Sequence, residues 1–92
     1  MTDSPGNDKS PLSFPCRFPI KIMGRADSAF RRAVLDVLSL HAPEIDEGDL
    51  SYRDSRDGNF LSITVEIEAT SREQLDGLYQ ALNDSDDVLM TL

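Results

Sequence analysis

Tryptophan is absent from this 92-residue chain, and cysteine and histidine occur once each, as Cys16 and His41. A single cysteine forms no internal disulfide, and one thiol with one imidazole falls short of the ligand set that zinc takes. A thiol nucleophile also needs an activating base, and His41 is placed at the far end of a helix from Cys16. No metal, no cofactor and no catalytic residues are therefore expected. Apolar runs stop after two or three residues, whereas a membrane-spanning helix takes about 20. The opening residues lack the basic start and apolar stretch of a secretory leader. A cytoplasmic protein with no membrane segment is the expectation.

What remains is an ordinary globular composition, 39% hydrophobic and 28% charged, in a chain long enough for one domain and too short for two. Its charge is unevenly distributed. Residues 1–41 carry six Lys/Arg and four Asp/Glu, whereas residues 42–92 carry three and thirteen, within a net charge of −8. The acidic second half repels phosphates, and no aromatic stacking positions of an RNA-reading sheet are evident, so nucleic acid is disfavoured. The basic group Arg17, Lys21, Arg25, Arg31 and Arg32 predicts a dipolar surface able to steer an acidic partner or favour self-association.

Residues 1–13 are rich in Ser, Pro, Asp, Asn and Gly without apolar period, which predicts a disordered tail ahead of a domain at residues 14–92. Phe18, Ile20 and Ile22 then alternate with Arg17, Lys21 and Met23 as a first strand, which Gly24 ends. Asp27 or Ser28 is placed to cap a helix whose apolar stripe runs through Phe30, Ala33, Val34, Val37, Leu38 and His41, and Pro43 stops it. Leu50 to Asp54 reads as a short polar edge strand, and Arg56-Asp57-Gly58-Asn59 as a hairpin turn. Leu61, Ile63, Val65 and Ile67 alternate with Ser62, Thr64, Glu66 and Glu68 in the clearest strand. A capping box over Thr70 to Glu73 opens a second helix with Leu75, Leu78, Tyr79 and Leu82 on its stripe. Val88, Met90 and Leu92 alternate in a last strand. The order β-α-β-β-α-β predicts an α+β, ferredoxin-like fold: a four-stranded antiparallel sheet with two helices on one face, strands one and three central.

Particular residues within that frame resemble the YbeD-like family of small uncharacterised bacterial proteins, whose fold is similar to regulatory ACT domains. They are Phe14-Pro15 with Phe18-Pro19, Ile22-Met23-Gly24, His41-Ala42-Pro43, Gly58-Asn59 before Leu61-Ser62-Ile63-Thr64, Leu78-Tyr79 and Val88-Leu89-Met90. The resemblance spans Phe14 to Leu92 and implies a cytoplasmic bacterial protein of unknown function, loosely associated in genomes with lipoate attachment. It brings no catalytic residues with it.

Two functional readings stand side by side. One is a protein-interaction or regulatory module with an unknown protein partner or a second copy, docking on the uncovered sheet face and the basic group through Lys21, Met23, Arg31, Arg32, Tyr52 and Phe60. The other is an ACT-like sensing domain, in which Gly24 permits close backbone approach, Arg25 pairs a small carboxylate ligand, and Asp27 lies at the helix start. Glu66 and Glu68 share a strand face but lack any sign of a pocket that would set them as an acid–base pair, and Asp84, Asp86 and Asp87 lack the spacing of a calcium loop.

Overall fold

The computed structural model describes residues 13–92, so nearly all of the expected tail lies outside the described residues. The elements run β1 (Cys16–Arg25), α1 (Ser28–His41), a 3₁₀ turn (Glu47–Asp49), β2 (Ser51–Asp54), β3 (Phe60–Ala69), α2 (Arg72–Asp84) and β4 (Val88–Thr91). The sheet order is β2-β3-β1-β4 and every pairing is antiparallel. This is the ferredoxin-like arrangement, with the two ten-residue strands in the centre and the two four-residue strands at the edges.

Alternation along the central strands decides which face is covered. Ile20, Ile22, Leu61, Ile63, Val65 and Ile67 are buried and form one core with Phe30, Val34 and Leu38 of α1 and Leu75, Leu78 and Leu82 of α2. Their neighbours, Arg17, Pro19, Lys21, Met23 and Arg25 on β1 and Phe60, Ser62, Thr64, Glu66 and Glu68 on β3, point to the opposite face, where no helix lies among the described residues. Strand β1 starts earlier and runs longer than its alternation predicts. Pro19 sits opposite Glu66 within the ladder. Lys21 exchanges both backbone hydrogen bonds with Leu92, so the nitrogen of Pro19, two residues earlier, points to the same side. Among the described residues no strand pairs with Pro19 on that side, and the missing N–H breaks no ladder bond there.

Gly24 does not end β1. It pairs with Leu61 and faces the core, and the strand continues to Arg25. Asp27 caps α1 as expected, its carboxylate accepting from the Phe30 amide at 2.9 Å. The capping of α2 is shifted by one residue from the predicted box. Ser71 is the cap and accepts from the Gln74 amide at 3.0 Å, while the Gln74 side chain reaches back to the Thr70 amide. Gln74 Nε2 also donates to the His41 carbonyl at 2.8 Å, so one side chain ties the start of α2 to the end of α1. Glutamine does what glutamate could not, because it both accepts and donates.

The β2–β3 hairpin closes between Ser55 and Phe60, and Gly58 holds φ at 77°. Within it the Ser55 hydroxyl donates to Asp57 Oδ1 at 2.7 Å and accepts from the Phe60 amide at 3.0 Å, and the Asn59 amide also donates to Asp57 Oδ1. These donors, the Ser55 hydroxyl first, hold the Asp57 carboxyl below its usual range. A depressed folded value means the contribution is present above the unfolded pKa and is lost as pH falls through the folded one. Asp57 is thus expected to titrate below the usual aspartate range in a carboxyl-carbon NMR titration. In Ser55→Ala it should move back up; no change would show that the hydroxyl does not hold it.

Candidate protein-interaction surface

The uncovered sheet face is built in rows. Across the four strands one row reads Arg53, Ser62, Met23 and Met90; the next reads Ser51, Thr64, Lys21 and Leu92, and Phe60 stands opposite Arg25 beyond the first. Met90 and Leu92 reach this face through a register shift in the β1–β4 ladder between Met23 and Gly24. Gly24 pairs with Val88 but Met23 pairs with Met90, so Leu89 is the extra residue of a β-bulge. The last strand therefore does not keep one apolar face. Val88 turns inward and packs on the core, whereas Met90 and Leu92 turn outward, 52% and 64% exposed. With half-buried Met23 and with Phe60, 41% exposed, they make an apolar strip that Lys21, Arg25 and Arg53 border.

Sequence reasoning found Lys21, Met23 and Phe60 for this face and missed Arg53, Met90 and Leu92. It misplaced Tyr52. That residue pairs with Ile63, a core residue, and so lies on the helix side, where the Arg31 guanidinium of α1 stands 5.0 Å from its ring centroid. Arg31 is engaged there, and Arg32 is exposed on the same helix, in the layer behind the sheet. The six residues expected to share one surface are thus split between two sides of the molecule.

The turn expected to hold a carboxylate ligand does not converge. Gly24 faces inward, and the Phe30 ring fills the space above it. Arg25 points to the open face, and the Asp27 carboxylate is spent on the α1 cap. A glycine here admits a ring of the protein itself rather than a metabolite.

Two concavities border the open face. The larger, about 690 Å³, is a broad cleft at its far end between β1, β3 and the acidic loop, with Glu44, Asp49, Glu66 and Glu68 on its walls. Arg17 crosses it to Glu66 at 2.6 Å. Its walls are carboxylates already facing solvent, and it lies away from the apolar strip. The smaller, about 240 Å³, is a trough over Ser62 within the strip itself.

A family model described as "Protein of unknown function (DUF493)" matches residues 9–92. A UPF0250 protein of Nitrosomonas europaea is 48% identical over 85 residues, covering 92% of this chain and 98% of its own. The chain belongs to the DUF493 family. A second UPF0250 protein, from Ectopseudomonas mendocina, is 46% identical over the full length of both chains. These are the YbeD-like bacterial relatives that the sequence resembles, and they are uncharacterised. Among solved structures, a protein from H. pylori determined in solution superposes with a TM-score of 0.70 at 18% identity, covering 91% of this chain and 89% of that one. An uncharacterised Thermotoga maritima protein superposes at 0.60 and 16% identity over 83% and 92%. Both share the small fold. The DUF493 description names no ligand, and the ACT-like sensing alternative gains no support from it. No helix among the described residues is long and apolar enough to cross a membrane.

Proposed function

We propose that this DUF493 chain is a non-enzymatic, cytoplasmic protein-interaction module that docks its partner on the uncovered sheet face. The observation that carries this reading is the bulge-made strip of Met23, Phe60, Met90 and Leu92. Apolar side chains turned to solvent in a contiguous strip gain free energy when a partner removes them from water, and interface cores are enriched in Met and aromatic residues. Cations around the strip supply the polar rim. In the Gly24 turn, where the small-ligand reading places its carboxylate, Arg25 and Asp27 do not converge on a common pocket.

The test is retention of protein from a bacterial lysate by the tagged chain, compared with Met23→Glu/Met90→Glu on the strip and with Arg32→Glu on α1. One retained protein that is lost from the strip variant and kept by Arg32→Glu is expected. Retention indifferent to the strip variant, or no retention, would overturn the reading.

A further inference from the structure

Resting on that interaction reading, we propose that the trough over Ser62 takes one apolar side chain of an acidic linear segment in the partner protein, whose flanking carboxylates are held by Lys21 and Arg53. The shape comes from side-chain size. In the row Arg53, Ser62, Met23, a short hydroxymethyl group stands between two long side chains, and the strands on either side are about 10 Å apart. The floor is therefore low and the walls high, and the Phe60 ring lines the same hollow. Its volume of about 240 Å³ lies below the roughly 300–1,000 Å³ of small-molecule pockets. That suits a single side chain better than a metabolite. The Met23 thioether lets the wall adapt to the shape of the incoming group.

Charge selects the neighbours of that group. The chain carries a net −8, yet Lys21, Arg25 and Arg53 border the strip, and among the described residues the salt bridge on this face is the distant Arg17–Glu66 pair. Asp54 on the outer rim is the carboxylate bordering the trough. An acidic segment meets attraction here and repulsion from the acidic remainder, so its placement as well as its affinity is fixed by charge. A nucleic acid strand fits less well, because phosphates continuing along the face would meet Glu66 and Glu68. A two-fold pairing centred on the trough would bring two copies of the same cations, Lys21, Arg25 and Arg53, into one interface.

The experiment is selection of random 12-residue peptides, displayed on phage, against the whole chain. Peptides with one large apolar residue flanked by Asp or Glu are expected. A selected peptide should shift the ¹⁵N NMR amide signals of Met23, Arg53, Phe60 and Ser62. Its affinity should fall roughly tenfold or more in Lys21→Glu/Arg53→Glu, as facing charges are reversed. Ser62→Leu, which fills the hollow from its floor, should abolish binding, and Arg32→Glu should leave it unchanged, each variant being checked for a native NMR spectrum. Peptides that bind this face without acidic residues would overturn the acidic-partner inference and leave the interaction reading standing. Peptides mapping elsewhere, or no selected peptide, would overturn the linear-segment inference, the lysate comparison deciding the interaction reading separately; sedimentation showing a dimer that Met23→Glu/Met90→Glu dissociates would overturn the inference by putting a second copy of this chain in the partner's place. Tighter binding of a labelled oligouridylate to the same face would overturn the inference in favour of RNA.

Discussion

Phe30→Ala is expected to lower the unfolding free energy by about 3–5 kcal/mol, the range for removing a fully buried aromatic ring. Phe30 has no exposed surface and holds three parts of the fold together. Its amide donates to the Asp27 cap, its ring covers Gly24 on β1, and its helix position opens the α1 stripe onto the core. Collapse around the void is restricted because Gly24 offers no side chain to move into it. Domains of this kind are stable by roughly 5–15 kcal/mol in total, so about a fifth or more of the stability is at stake. Urea denaturation followed by far-ultraviolet circular dichroism checks this through the transition midpoint. A loss below about 1 kcal/mol, ordinary for a surface site, would mean that the ring is not packed where the structure places it.

Gly24→Ala is the converse, an addition where there is no room. A Cβ at Gly24 would overlap Phe30 Cδ1, and would stand 2.6 Å from Phe30 Cε1 and 2.7 Å from the Asp87 carbonyl oxygen. The ring can turn aside only by giving up its own packing, and the Asp87 carbonyl is backbone. Overpacking of this kind costs roughly 1–3 kcal/mol. The two substitutions compete for one space, so they should not add. In the Phe30→Ala background the ring overlap is gone and Gly24→Ala should destabilise less, leaving a coupling of about 0.5–3 kcal/mol in the double-mutant cycle. Full additivity would show that the two residues do not share the space. A neutral Gly24→Ala would show that the space is empty and would revive the ligand notch.

Much of the frame is legible in the chain itself, for particular reasons. The long alternations of Phe18 to Met23 and of Leu61 to Glu68 mark the central strands, and Asp27 and Pro43 bracket α1. Alternation states that neighbours face opposite ways, but pairing decides which way each faces. Tyr52 shows the difference. Its strand looks the same whichever side it presents, and only the four-residue turn Arg56–Asn59, which sets Ser55 against Phe60 and hence Tyr52 against Ile63, places it on the helix side. Counting back from that turn would have found this from sequence. The bulge beside Gly24 left no such trace. Val88, Met90 and Leu92 read as one face because nothing local signals the extra residue, and so half of the candidate surface was hidden. The offset of the α2 cap from Thr70 to Ser71 is a smaller case, since adjacent Thr and Ser are both competent caps.

The extra residue in β4 also separates two tasks that a regular strand would bind together. In an unbroken alternation, the apolar residues ending the chain would belong to the core, and altering them would endanger folding. Here Val88 keeps that duty alone, while Met90 and Leu92 stand largely in water, where substitutions ordinarily change stability by no more than about 0.5 kcal/mol. The strip can therefore be rewritten, residue by residue, for a different partner while the fold beneath it stays as it is.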